Sequence, residues 1–315
     1  MNANLNTRGT GAAPLAGAEL KRRIVEFARG TSTEISPHDE GLVTELAGTL
    51  PPGTTVYVAH TPKATVDDVV RVASKVRAAG LRASPHIVAR RIESQQVLEG
   101  ALRRLVEAGV DQVLLVAGDR NPPAGEFTST LQILDSGALA ECGIRKVGVA
   151  GHPEGHPAID AATLWSALAT KQAFADRTGT QMHICTQFSF NPGAVSTWDR
   201  ELTEHGIRLP VHIGIAGPTP LPKLIKFAVQ CGIGASLGQL GKGLGLMGRV
   251  AGLAMSPDEM LIGLVQGCAS RGATHLTQPH FYAFGGVMAT ARWLRGVVDG
   301  AFDLDRSDEK FTVHA

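Results

Sequence analysis

The sequence predicts an α/β chain folded as a single (β/α)8 barrel, a TIM barrel, over residues 14–315, with extra helices between strands seven and eight. Three observations carry that expectation. Strand-like and helix-like patterns alternate from one end to the other, as a parallel barrel requires. No G-x-G-x-x-G follows the first strand, where the doubly wound alternative usually carries it. No linker-like shift in composition divides the chain, so one domain is expected after a disordered lead-in at residues 1–13, MNANLNTRGTGAA.

The elements follow in order. Ser32–Ser36 and Thr55–Ala59 read as the first two strands. Val66, Val69, Val70, Ala73 and Val76 then fall on one helical stripe, since residues three and four apart share a face. Arg82–Ile87 is the third strand, and Val97, Leu98, Ala101, Leu102 and Leu105 form the next stripe. Gln112–Ala117 and Lys146–Ala150 are short apolar runs of the buried-strand type, each ending in a polar loop. His183–Thr186, Val211–Ala216 and His275–Phe281 complete the set of eight. Between the last two lie helical patterns at roughly 220–231, 240–252 and 257–270. Ser256-Pro257-Asp258-Glu259 predicts the start of the third, with Ser as N-cap, Pro at the first helical position and Glu closing a capping box.

Composition narrows the function. A formal net charge of +1 gives no basic surface for nucleic acid, and 5% aromatics give few stacking platforms for bases. The four cysteines, Cys142, Cys185, Cys231 and Cys268, form no C-x-x-C, and three sit among apolar neighbours. They read as free thiols of a reducing compartment. No apolar run reaches spanning length and no signal-peptide core opens the chain, so no membrane partner and a cytoplasmic location are expected. The sequence is compatible with a homo-oligomer.

In a parallel barrel the loops after the strands form the active-site mouth. Gln112–Ala117 runs into Gly118-Asp119-Arg120-Asn121-Pro122-Pro123, and Lys146–Ala150 into Gly151-His152-Pro153-Glu154-Gly155-His156-Pro157. Asp119 stands where barrel enzymes place catalytic groups, in a site expected to be partly dry. An N-cap or Asx-turn role heading the loop is the alternative. Glu34 lies in an otherwise uncharged strand. Facing inward it would be desolvated, with a raised pKa suited to a general acid. Facing the helices it would pair with Lys or Arg. His152, Glu154 and His156 are metal-ligand types, but Pro153 and Pro157 forbid the helix on which H-E-x-x-H lines up. Hydrogen bonding to a ligand is preferred, and no metal is expected. Gly238–Gly248 fails the Walker-A pattern, with Ser236 and Gly243 at two key positions, and reads as a flexible loop whose Lys242 can meet an anion. His86 and Gln187 add two more groups near strand ends. Glu34, His86, Asp119, His152 and Gln187 come from five strands and converge on one mouth if the barrel closes.

These residues carry a likeness. T-E-I-S-P at Thr33–Pro37, A-S-P-H at Ala83–His86, A-G-D-R-N-P-P at Ala117–Pro123, H-P-E-G-H-P at His152–Pro157, T-Q-F-S-F at Thr186–Phe190 and H-F-Y at His280–Tyr282 occur in that order. Over residues 20 to 295 the chain resembles the catalytic barrel of the 5,10-methylenetetrahydrofolate reductase family. The resemblance implies FAD bound non-covalently and NAD(P)H as co-substrate. It implies hydride transfer through flavin to a tetrahydrofolate derivative, giving 5-methyltetrahydrofolate. It makes Glu34 the general acid that opens the methylene bridge and Asp119 the carboxylate between flavin and pterin. Gln187 and Phe227 become substrate-binding positions. His60, His86, Gly118, Ala150, His156 and Lys171 become flavin-contacting ones, with His152 beside them in place of a Tyr. A pterin edge needs both donors and acceptors, which a carboxylate and an amide supply, and the cofactor carries the hydride while protein groups orient it.

The chain departs from the family in places. Ala59 replaces a flavin-contacting Thr, Ser189 interrupts the aromatic run, Asn191 replaces an Asp, and Gly286 stands where a substrate-contacting Arg is common. Around residues 160–171 (DAATLWSALATK) the family's Asp and Asn ligands have no clear counterparts. Alternatives therefore stay open: a divergent copy oxidising 5-methyltetrahydrofolate in demethylation-linked one-carbon recovery, a flavin-independent NADH-dependent reductase, another barrel enzyme with a different heterocycle, or a folate- or flavin-binding protein without turnover.

Overall fold

The structure is a computed structural model and describes residues 14–220, 224, 254–255, 257–270 and 274–314. The lead-in at 1–13, Phe227, Cys231, Gly238–Gly248 with Lys242, the 240–252 pattern and all but the edge of the 220–231 pattern lie outside the described residues.

Eight parallel strands close into a barrel. They are β1 (Ser32–Ile35), β2 (Thr55–Val58), β3 (Arg82–Val88), β4 (Gln112–Val116), β5 (Lys146–Gly151), β6 (Gln181–Phe188), β7 (Val211–Ala216) and β10 (Leu276–Tyr282). Each pairs with its sequence neighbours, and β1 closes the ring on β10 through Ser32 beside His280. All eight expected strands are present, with ends moved by a few residues. The last begins at Leu276 rather than His275 because Asp199 holds the His275 backbone N–H (2.9 Å) and Nδ1 (3.0 Å).

The surrounding helices include α1 (Gly17–Ala28), α2 (Val43–Thr49), α3 (Val66–Ala78), α4 (Gln95–Glu107), α5 (Thr130–Asp135), α6 (Ala138–Glu141), α7 (Ala161–Thr178), α8 (Pro192–Glu204), α9 (Asp258–Ala269) and α10 (Val287–Val298). Thr65 starts α3 through a reciprocal capping box with Asp68, and Val69, Val70, Ala73 and Val76 bury its apolar face. On α4, Leu98, Ala101, Leu102 and Leu105 are buried as expected, but Val97 is 36% exposed. It sits at the edge of the stripe, over a groove between α3 and α4. The α9 start also differs from expectation. Pro257 flanks the helix instead of opening it, and the expected N-cap Ser256 lies outside the described residues. Asp258 instead accepts from the Phe311 N–H (3.1 Å), and Glu259 pairs with Lys310 (2.8 Å). Both partners belong to a hairpin the sequence pattern did not announce, β11 (Phe302–Leu304) with β12 (Phe311–Val313). A second short pair joins β8 (Thr219–Pro220) to β9 (Ala254–Met255).

The strands divide their side chains by period two. Val56, Val58, Val113, Leu115, Val147, Val149, Ile184, Ile213, Ile215 and Phe281 join the helices in one large apolar core. The alternate residues fill the lumen, and there the chain is polar. No described helix is long and apolar enough to cross a membrane.

Candidate active site

The lumen is built on contacts between strands that are not neighbours. The Tyr57 hydroxyl on β2 meets His183 Nε2 on β6 at 2.8 Å and His212 Nδ1 on β7 at 3.3 Å. The two imidazoles stack with ring centres 4.0 Å apart. His280 packs edge-on to Tyr57 at 4.5 Å, and its Nδ1 meets Ser32 Oγ at 2.9 Å. Burial holds the His183 and His280 pKa values well below the ordinary imidazole range and takes His212 down to about 4. These rings are therefore neutral at pH 7, and the Tyr57 hydroxyl, raised by the same burial, keeps its proton. Gly148 makes room for the group. A Cβ there would lie 2.8 Å from His183 Nε2 and 2.9 Å from Leu114 Cδ1.

Above this floor stands Glu34. It is the third residue of β1, in register with Tyr57 of β2, which is in turn in register with Ser84 of β3. Of the two orientations the sequence leaves open, the structure shows the inward one. Burial first, then repulsion from Asp39, raises the Glu34 pKa to about 8. The side chain still keeps 21% exposure at the mouth. His86 Nε2 lies 3.3 Å from Glu34 Oε2, outside hydrogen-bonding geometry. Burial, then His60, drives His86 down to about 3. The contact is thus between two neutral groups, not an ion pair. His86 Nε2, His280 Nε2 and Ser84 Oγ are buried without a hydrogen-bond partner in the structure. Such atoms call for a ligand or ordered solvent. His60, after β2, donates Nε2–H to the Ala64 carbonyl (3.1 Å), and burial followed by Arg91 lowers its pKa.

Asp119 departs from the expectation of a partly dry site. Its side chain is 87% exposed, with Arg91 Nη2 at 3.5 Å, so it stands on the rim in water. The loop after β4 swings outward because Gly118 takes φ +83, and a Cβ there would lie 2.4 Å from Val88 Cγ1. Packing against β3 therefore explains Gly118 without any ligand.

Beyond β5, Ala150 is half-buried, and His152 and His156 meet edge to face at 5.1 Å. Burial, then His156 and Lys171, lowers His152 to about 4. His156 Nδ1 accepts from the Ala158 N–H (3.2 Å), and Glu154 accepts from Ser189 Oγ (2.6 Å). The three side chains do not converge, and no group of metal-ligating side chains exists among the described residues. Lys171 reaches this side from α7. It is 7% exposed, makes no hydrogen bond or ion pair among the described residues, and is lowered to about 8 by burial. Holding an ammonium so placed without a partner is costly, and an anion would offset that cost.

Across the mouth, Gln187 is half-buried and its Oε1 accepts from the Phe188 N–H (3.1 Å). Beside it Phe188, Phe190, Tyr282 and Phe284 make an aromatic wall, with Phe188 ring centres 5.6, 5.7 and 4.9 Å from the other three. The structure thus brings Glu34, His86 and His60 to one side and His152, His156 and Lys171 to another, with Asp119 on the rim. The lumen set of Tyr57, His183, His212 and His280 escaped the sequence reading. Its signal was there in β6, where Gln181, His183, Cys185 and Gln187 alternate with Met182, Ile184, Thr186 and Phe188.

No family model matches the chain. Among solved structures it is similar to dihydropteroate synthase from Thermus thermophilus, at 15% identity and a TM-score of 0.45 over 84% of this chain and 91% of that one. It is also similar to DHDPS from Cyanidioschyzon merolae with lysine bound, at 16% identity and a TM-score of 0.39 over 60% and 64%. A Burkholderia cenocepacia protein named as a phosphonomutase gives 10% identity and 0.47 over 86% and 95%. At these identities the likeness concerns barrel architecture and not chemistry.

Proposed function

We propose that the chain is an enzyme, an oxidoreductase that interconverts 5,10-methylenetetrahydrofolate and 5-methyltetrahydrofolate with FAD as cofactor and NAD(P)H as electron donor. The observation that carries this reading is Glu34, a desolvated carboxyl with a pKa of about 8, open to the mouth at 21% exposure. At pH 7 roughly nine-tenths of such a group holds its proton. Opening a methylene bridge needs that proton. The C–N bond breaks, the electron pair stays on the departing amine nitrogen, and the acid protonates it. The neutral His86 beside Glu34 leaves the acid form undisturbed.

The residues present fit FAD. Lys171 is a buried cation without a counter-charge among the described residues and suits a diphosphate, and His86 offers a buried Nε2 with no hydrogen-bond partner among them. Ala150, His152 and His156 border the Lys171 side of the mouth, and His60 and Gly118 border the His86 side. When bound, the flavin supplies hydride relay between nicotinamide and folate. The aromatic wall offers a face for a flat heterocycle, and Gln187 offers an amide for its edge.

The test is the absorption spectrum of the purified protein, followed by titration with FAD and an assay of methylenetetrahydrofolate-dependent NADH oxidation. Bound flavin with folate-dependent turnover is expected. A colourless protein that still oxidises NADH only when the folate is present transfers hydride directly and overturns the flavin part. No folate-dependent oxidation overturns the whole reading.

A further inference from the structure

A cavity of about 850 Å³ lies outside the barrel between α3 and α4, beside the loops that follow β2, β3 and β4. Small residues create it. Gly100 on α4 has no atom within 4 Å of where a Cβ would stand, and Val97, one turn before it, is left 36% exposed on the wall. An apolar stripe residue left uncovered inside a groove is a surface that a ligand can cover.

The walls bring four guanidinium groups, Arg91, Arg103, Arg104 and Arg120, against two carboxylates, Asp67 and Glu93, which leaves a lining charge of +2. Most of these groups are already engaged. Arg104 holds Asp67 at 2.6 Å across the groove, Arg103 holds Glu99 at 2.7 Å, and Arg91 is fixed by the Thr61 carbonyl (2.8 Å) and by Asp119. The Arg120 guanidinium has no hydrogen bond or ion pair among the described residues. It is the cation on the groove wall still available to an anion. Arginine prefers phosphate in a two-pronged grip and also stacks on flat rings. An uncovered apolar wall next to a free guanidinium therefore asks for a flat body carrying phosphate.

We infer that the α3–α4 groove binds a nucleoside phosphate and, resting on the function proposed above, receives the adenosine end of NAD(P)H. The groove adjoins the strand-end mouth through Arg91, which lines it and contacts Asp119 on the rim, so a ligand seated here lies beside that rim.

Calorimetric titration of the full chain with ADP and with inorganic pyrophosphate tests this. ADP is expected to bind at least tenfold more tightly than pyrophosphate, because the apolar wall contributes. Arg120→Ala should weaken ADP about tenfold, the loss of one charged phosphate contact. Gly100→Leu should weaken it by tenfold or more by filling the groove. Its melting temperature should not fall, since the site is open and Leu favours helix over Gly. Lys171→Met should leave ADP binding in the groove unchanged. Absence of ADP binding at millimolar concentration overturns the inference. So does equal affinity for pyrophosphate, wild-type affinity in both groove variants, or loss in Lys171→Met alone. Folate-dependent turnover in a protein that fails these titrations leaves the enzyme reading standing. ADP binding in a protein without turnover leaves the groove standing.

Discussion

Replacing Glu34 by Gln should make the protein both poorer at its chemistry and more stable in alkali. The carboxyl has a folded-state pKa of about 8 against an ordinary 4.5, because burial and Asp39 disfavour its charged form. A raised carboxyl pKa contributes stability that is fully present below 4.5 and is lost as pH rises through 8, because the unfolded chain ionises freely while the folded one resists. With those two values and 1.36 kcal/mol per unit, the wild type loses about 4 kcal/mol between pH 5 and pH 9 from this group alone. The 21% exposure of the side chain reduces that to roughly 3 kcal/mol. Gln keeps the shape and cannot ionise, so the gap between variant and wild type should be under about 1 kcal/mol at pH 5 and should open to roughly 3 kcal/mol by pH 9. Urea unfolding of both proteins at pH 5, 7 and 9 measures it, and taking the difference cancels the titrating groups not coupled to Glu34. In stopped flow, the folate step of the variant should be slower by about 10²–10⁴-fold, the usual contribution of a general acid. Reduction by NAD(P)H should stay near normal. In the wild type the folate step should fall about tenfold per pH unit above pH 8. A stability difference that is flat from pH 5 to 9 would refute the desolvation argument, and equal slowing of both half-reactions would refute the acid role.

Three further outcomes follow from the same packing. His86, His152 and His212 are depressed to about 3, 4 and 4 by burial, so each should cost roughly 2 kcal/mol of stability as pH falls from 7 to 5. Their ordinary value is 6.5 and only the unfolded chain takes up the protons, so urea midpoints that do not move over that range would show that the imidazoles are solvated. Lys171→Met should raise stability at pH 7 by up to about 3 kcal/mol, because a cation lowered from 10.5 to about 8 is held in the folded state at a standing cost. The same change should weaken FAD, and a variant that is less stable with unchanged FAD affinity would mean that Lys171 has a partner in solution. Gly148→Ala places a methyl within 3 Å of His183 and Leu114 and should cost about 1–3 kcal/mol in thermal unfolding, so an unchanged melting temperature would show that the lumen floor is loosely packed.

The fold was legible because each strand of a barrel is buried on both faces and bounded by turn residues, so it announces itself by composition as well as by period. Gln112–Val116 and Lys146–Gly151 needed nothing more. The hairpin of Phe302–Leu304 with Phe311–Val313 was hidden because its strands are three residues long, below any period the sequence can display. Glu34 stood out as the one carboxylate of an uncharged strand, but which face it takes is set by the register of β1 against β2 and could not be read locally. Asp119 was misjudged because a strand end fixes the start of a loop and not its direction. Val88 excludes a Cβ at Gly118 and the backbone turns to φ +83, neither of which is written locally.

The lumen shows why the titratable groups of this site must be read together. A strand such as Gln181–Phe188 carries its polar residues at alternate positions, which on a surface sheet would face water. Closing the barrel turns that face inward, where His183, His212 and His280 can stay only as neutral rings bonded to Tyr57 or Ser32. The same dryness keeps a proton on Glu34 and strips one from His86. It leaves the buried Lys171, on the opposite side, as a positive charge with no ion-pair partner among the described residues. A mouth holding one uncharged acid and one unanswered cation is matched to a ligand that is anionic at one end and needs a proton at the other. The dinucleotide cofactor and folate proposed above would together meet that description, whereas a small uncharged substrate would leave the cost of burying Lys171 without return.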